Sequence, residues 1–149
     1  VASRKPLVEV SGEITELPVG DTLNAPVDEV DIHSLTNGDG TAHTLGEVVY
    51  ISAASTVKRA KADAAGTSLA IGFAYETVGA GAAGFYILEG VLGGLSGLTP
   101  GVRYFLSAIT AGAMTTTAPS AAGHRVLELG VPLSATEFQI RIQLTIAKT

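Results

Sequence analysis

The sequence contains no cysteine. That absence removes disulfide frameworks, thiolate metal sites and cysteine nucleophiles together. Tryptophan is also absent, and aromatic residues make up only 5% of the chain. Sugar platforms built on exposed rings have little to work with here. Charged residues are scarce, at 15%, against roughly 25% in an ordinary soluble domain. A surface this poor in charge suits a protein partly covered by partners. No run of eighteen apolar residues occurs, so no segment is long enough to span a membrane as a helix, and no membrane partner is expected. The opening Val1-Ala2-Ser3-Arg4-Lys5 leads into a polar segment without the apolar stretch of a signal peptide. Folding in the cytoplasm where the chain is made is the expectation.

A chain of 149 residues suits one domain or two very small ones and can bury roughly 70% of its unfolded surface. Its net charge of -5 is unevenly spread: residues 1–47 hold nine acids and two bases, and residues 48–149 hold five acids and seven bases. An acidic first third argues against nucleic acid, which needs a basic face. It reads either as a solvated acidic surface or as a patch that docks on a basic partner.

Glycine is abundant, with 18 residues, and β-branched residues dominate the apolar stretches. Helix signals are nearly absent. At the C-terminal end Phe138, Ile140, Ile142, Leu144 and Ile146 alternate with Gln139, Arg141, Gln143 and Thr145. Strict alternation predicts a strand with one buried and one wet face. Further short strands are expected at 7–10, 13–17, 27–33, 47–53, 56–62, 69–76, 84–91, 102–108 and 124–131. Turn residues such as Asn37-Gly38-Asp39-Gly40 and Gly79-Ala80-Gly81 separate them. The alanine-rich stretch 55–67 has helical propensity, but strand followed by loop fits the pattern better. The expected fold is all-β: a compact barrel or sandwich with a pseudo-two-fold internal repeat and an extended N-terminal arm.

The repeat is read from three blocks. Val49-Tyr50-Ile51-Ser52-Ala53 aligns with Tyr104-Phe105-Leu106-Ser107-Ala108. Ile71-Gly72-Phe73-Ala74 aligns with Leu129-Gly130-Val131-Pro132, and Gly84-Phe85-Tyr86-Ile87 with Glu137-Phe138-Gln139-Ile140. Two such units, about 45–92 and 98–149, would bury their apolar faces against each other. Residues 1–44, punctuated by Pro6, Gly12, Pro18, Gly20 and Pro26, form the expected arm, with a hairpin turn at Ser11-Gly12.

Little in the sequence suggests catalysis. Asp31 and His33 share one strand face and could join His43 in a two-histidine, one-carboxylate metal site. The favoured reading makes them polar residues beside an exposed loop, with exchange of His33, His43 or His124 expected to be harmless and no metal or cofactor required. Asn37-Gly38-Asp39-Gly40-Thr41 lacks the ligand alternation and closing glutamate of a calcium loop and reads as a turn. No Gly-x-Ser-x-Gly elbow is present. Ser52 and Ser107 occupy equivalent repeat positions, which points to a structural role at a strand end. The glycine-rich 90–97 stretch has no following lysine and opens no helix. Tyr50, Phe85, Tyr86, Tyr104, Phe105 and Phe138 all fall in predicted strands and are expected to pack in the core. No catalytic residue is assigned, and a small hydrolase is the least favoured class.

Several blocks resemble a known family. Residues 5–14, leading to Leu17-Pro18-Val19-Gly20-Asp21-Thr22-Leu23, look like the opening of many small tailed-phage structural proteins. Residues 47–54, 98–108 and 115–120, then Val131-Pro132-Leu133-Ser134-Ala135-Thr136-Glu137-Phe138, are similar to its later blocks. The chain is shorter than that pattern before Gly93-Gly94-Leu95. The resemblance implies a virion protein on the outer capsid surface: a decoration, or cement, protein that bridges major capsid protein subunits, with a homotrimer as the geometric default. The alternative is a tail-fibre or receptor-binding module. The arm would supply strand-addition contacts to an exposed sheet edge of the capsid or of the next copy, with Lys5, Leu7, Val8, Val10, Ile14 and Leu17 as the candidate partner-binding residues.

Overall fold

The computed structural model describes residues 7–10, 13–16 and 30–147, with side chains over 30–143. These residues form eleven strands and no helix. The first two, β1 (Leu7–Val10) and β2 (Glu13–Glu16), pair antiparallel as a hairpin, with Val10 opposite Glu13. Then come β3 (Asp31–Asn37), β4 (Val48–Ala53), β5 (Thr56–Arg59), β6 (Ala70–Ala74) and β7 (Ala83–Leu92). The last four are β8 (Tyr104–Leu106), β9 (Met114–Thr115), β10 (Arg125–Pro132) and β11 (Phe138–Ala147).

The first five of the later strands close into a barrel in the order β3-β5-β4-β6-β7, because β3 also pairs with β7. That closing seam is antiparallel, from Asp31 opposite Glu89 to Thr36 opposite Ala83. The contact of β3 with β5 is parallel and short, at Thr36 and Asn37. The sheet continues from β7 through β11, β10, β8 and β9. Read outward from the β7–β11 junction, the order is β6, β4, β5 on one side and β10, β8, β9 on the other.

Alternation of side chains along the strands divides the core in two. Val49, Val57, Ala74, Val78 and Tyr86 form one cluster, with Leu35, Ile71 and Leu88 against it. A larger cluster joins barrel residues Val48, Phe73, Ile87 and Leu92 to Tyr104, Leu106, Leu127, Leu129, Phe138 and Ile140 of the later strands. Phe138 anchors it, with ring centroids 5.5 Å from Phe73 and 5.9 Å from Tyr104. Each such ring contributes about 1.5–3 kcal/mol by burial. Two glycines allow the close strand approaches. A Cβ on Gly72 would collide with the Ile87 carbonyl oxygen, and one on Gly130 (φ 146°) with that of Gln139.

The described architecture is the expected all-β barrel. Strand then loop also describes 55–67, where β5 stops at Arg59 and turns follow. Three details differ. The strand placed at 27–33 runs instead from Asp31 to Asn37, and 27–29 lie outside the described residues. It falls within the segment assigned to an arm, yet it is a stave of the barrel, because β7 offers it six backbone partners. Finally, β9 is present although no strand was expected at Met114.

Candidate functional site

The densest cluster of polar side chains lies where the chain leaves β3. Asn37 is wholly buried there. Its side-chain amide donates to the carbonyls of Thr41 (3.0 Å) and Val78 (2.9 Å), and its oxygen accepts from the Asp39 N–H (2.8 Å). An asparagine that bonds its own backbone in this way folds the following loop into a turn. The loop returns to place His43 opposite Val78, and the two exchange backbone hydrogen bonds of 2.8 and 2.9 Å.

That bridge commits the His43 side chain to the interior, where it is wholly buried. Its Nδ1 lies 2.9 Å from the Tyr86 hydroxyl and its Nε2 2.9 Å from Asp39 Oδ2. Ionised Asp39 can only accept, so Nε2 carries the proton and Nδ1 accepts from Tyr86. Asp39 Oδ2 also accepts from the Arg59 backbone N–H at 2.9 Å. The Arg59 guanidinium spans the loop: Nε donates to Glu47 Oε1 (2.7 Å), Nη1 to Thr41 Oγ1 (2.9 Å) and Nη2 to the Ala42 carbonyl. Glu47 in turn accepts from the Thr44 N–H at 2.7 Å. The fixed fork of a guanidinium suits this task better than an ammonium. Among the described residues, no buried side-chain polar atom is left without a partner.

Burial by itself would raise the Asp39 pKa, but the Arg59 N–H, the His43 hydrogen bond and the neighbouring charge of Arg59 outweigh it, so Asp39 titrates below the ordinary carboxylate value. The hydrogen bond to Glu47, working against burial, lifts Arg59 above its usual value. Burial, aided by the charge of Asp39, pushes the Tyr86 phenol up to about 12. A raised pKa means that the folded state holds the proton more tightly. Tyr86 therefore stabilises the fold fully below the unfolded phenol value of about 10, and that contribution is lost as pH rises through about 12. The melting temperature is expected to fall in that window, and Tyr86→Phe should flatten the fall while costing about 1 kcal/mol at neutral pH. Thermal melts across this range check it; an unchanged slope in the variant would assign the fall to other groups.

His43 is thus not a polar residue beside an exposed loop but a wholly buried one, and its exchange is expected to destabilise the fold. Its turn faces inward because Asn37 and Val78 bind the loop to the barrel. His33 does fit the polar reading: it is exposed, with Nε2 2.8 Å from Asp31. His124 is half-buried. Asp31, His33 and His43 form no metal-holding group, and among the described residues no other set of three or more such side chains does. Ser107 Oγ accepts from the N–H groups of Ile109 and Thr110, both at 3.1 Å, and so caps the turn after β8. Ser52 Oγ donates to the Thr56 carbonyl across the β4–β5 turn. Tyr86, Tyr104 and Phe138 are buried, and Tyr50 and Phe105 are half-buried. Phe85 departs from core packing, at 51% exposed.

Exposed apolar side chains gather beside it. Tyr75 donates its N–H to the Phe85 carbonyl at 3.0 Å. Across β7, Ser34 is opposite Phe85 and Ile32 opposite Ile87. Val30, Ile32, Tyr75 and Phe85 are all exposed. Ile109, at 88%, stands alone on the turn after β8. Of the candidate partner-binding residues, Leu7, Val8 and Val10 lie on β1 and Ile14 on β2, while Lys5 and Leu17 lie outside the described residues. No protein-family model, curated protein or solved structure matches the chain.

Proposed function

We propose that the chain is a structural virion subunit that decorates a tailed-phage capsid and stabilises it by bridging major capsid protein subunits, most naturally as a trimer. One observation carries the reading. Nine large apolar side chains stand exposed on the described surface, while the interior polar groups satisfy one another. A rigid barrel with apolar outcrops and few charges gains by being covered. The family resemblance read in the sequence supports a capsid as the cover. Stabilisation then follows from linkage, since a ligand that binds only the assembled lattice holds that lattice together.

The test adds purified protein to undecorated capsids of the phage that encodes it. The expected result is saturable binding in proportion to the lattice and a higher temperature of capsid disruption. Absence of capsid binding, with copies confined to the tail, would replace this reading with a tail-fibre or receptor-binding module.

A further inference from the structure

The chain holds two asparagines, Asn24 and Asn37, and only Asn37 is followed by glycine. That pair is chemically labile, because glycine puts no side chain in the way of its own nitrogen. The Gly38 nitrogen can attack the side-chain carbon of Asn37 and close a cyclic imide. The bond from Gly38 N to Asn37 Cγ forms, the Cγ–Nδ2 bond breaks, and the Gly38 proton leaves with Nδ2 as ammonia. Water then opens the imide at one of its two carbonyls. One route gives aspartate. The other gives isoaspartate, with the main chain rerouted through the side chain.

The fold requires glycine here and blocks the reaction at the same place. A Cβ on Gly38 would stand 2.7 Å from Thr56 Cγ2 and 3.3 Å from the Val57 carbonyl oxygen. The Gly38 N–H donates to that same Val57 oxygen at 2.8 Å. The Asn37 amide donates to the Thr41 carbonyl at 3.0 Å and to the Val78 carbonyl at 2.9 Å. Imide closure removes the Gly38 proton and expels the amide nitrogen, so all three hydrogen bonds have to break. Asn37 is wholly buried, and its backbone is tied as well. Its N–H donates to the Ala82 carbonyl and its carbonyl accepts from the Gly81 N–H, both at 2.9 Å. These ties hold the end of β3 between β5 and the turn before β7.

The product does not fit the place that the amide leaves. One carboxylate oxygen can keep the Asp39 N–H. The other would stand where the amide nitrogen was, against the Thr41 and Val78 carbonyl oxygens. Ionised aspartate has no proton for either carbonyl, and a protonated one could serve only one of them. Buried oxygens that face each other without a proton are costly. Isoaspartate also lengthens the main chain at Asn37, the last residue of β3.

We propose that Asn37 is a deamidation site, silent in the closed barrel and modified when the end of β3 comes away, and that its product keeps this end of the barrel from closing again. The site stands independently of the capsid reading. Asp39-Gly40 can form the same imide only by losing water from a protonated carboxyl, and Asp39 is held ionised by its donors.

The test ages the full-length chain at mildly alkaline pH, with and without guanidinium chloride. Peptide mapping by mass spectrometry reads Asn37 and Asn24 separately. The native chain should deamidate at Asn37 about a hundredfold or more slowly than the denatured one. Below the unfolding midpoint the rate should climb with denaturant, since opening limits it. A native rate close to the denatured one, or one flat in denaturant, would place the chemistry in the closed barrel and overturn the proposal. Asn37→Asp supplies the product directly. It should melt about 10 °C or more below the parent, and a variant that melts with the parent would overturn the proposal too. Chains aged in denaturant and then diluted give the same answer without a variant. Modified chains should be depleted from the refolded fraction; an equal share there would overturn it.

Discussion

Asp39→Ala is expected to destabilise the protein by about 3 kcal/mol. The carboxylate accepts from His43 Nε2, from the Arg59 backbone N–H and, at 3.5 Å, from Arg59 Nη1. His43 is wholly buried, so the truncation leaves its Nε2 donor without the acceptor that the folded loop provides. An unsatisfied buried donor costs about 1–3 kcal/mol, and two are created here. Arg59 keeps Glu47 at 2.7 Å, which limits the loss. Asp39→Asn should cost less, because the amide oxygen still accepts one of these bonds. A depressed carboxylate pKa stabilises the fold above the unfolded value of about 3.9 and loses that contribution as pH falls through the folded value. The alanine variant should accordingly lose part of the parent's acid sensitivity below about pH 4. Denaturant melts at neutral and acid pH measure both effects. A neutral-pH loss below about 0.5 kcal/mol would mean that the loop does not depend on this carboxylate.

Gly130→Ala is expected to cost at least as much, about 3–5 kcal/mol. Its φ of 146° lies where side chains are strained. The added methyl would meet the Gln139 carbonyl oxygen, and it would stand 3.0 Å from both the Arg141 nitrogen and Phe138 Cε1. Relief requires moving β10 away from β11, yet Gly130 is paired there with Ile140, and the Phe138 ring is the anchor of the larger core. A typical domain has only about 5–15 kcal/mol to lose, so the variant should unfold far more readily and accumulate in poor yield. Gly123→Ala provides the control. Gly123 also has a positive φ, of 82°, but nothing lies near the added methyl, so only the backbone term of about 1 kcal/mol applies. Equal destabilisation of the two variants would show that strand approach at Gly130 is not tight.

The sequence was most informative where one face of a strand is buried and the other wet. Over Phe138 to Gln143 the alternation matches the burial residue by residue, because period-two patterning is the direct imprint of a half-buried sheet. β9 left no such imprint, since two residues, Met114 and Thr115, are too few to show a period. The start of β3 was misplaced because Val27, Val30 and Ile32 suggest an earlier strand, whereas its observed limits follow from where β7 offers backbone partners. His43 was the largest omission. Asn37-Gly38-Asp39-Gly40 correctly signals a turn, but a turn signal does not say toward which side the loop folds. That depends on Tyr86 and Val78, more than thirty residues away. The only local hint was the spacing of Asp39 and His43. Phe85 could not be distinguished from its neighbour Tyr86 by residue type; only the register of β7 sets them on opposite faces.

The closing seam of the barrel also sets a schedule for synthesis. The strand that β3 needs, β7, is encoded roughly fifty residues downstream of it. A ribosome adding about 5–20 residues per second leaves β3 without that partner for some 3–10 s. Over the same interval His43 waits for the hydroxyl of Tyr86. Once Leu92 has emerged, every stave from β3 to β7 is available, and the ring can shut while the residues that follow are still being translated. The later strands then assemble on a finished surface that already presents Phe73 and Ile87, so the nascent chain acts as its own template. Slowing translation between β3 and β7 lengthens the exposure of an unpaired edge; slowing it after β7 does not.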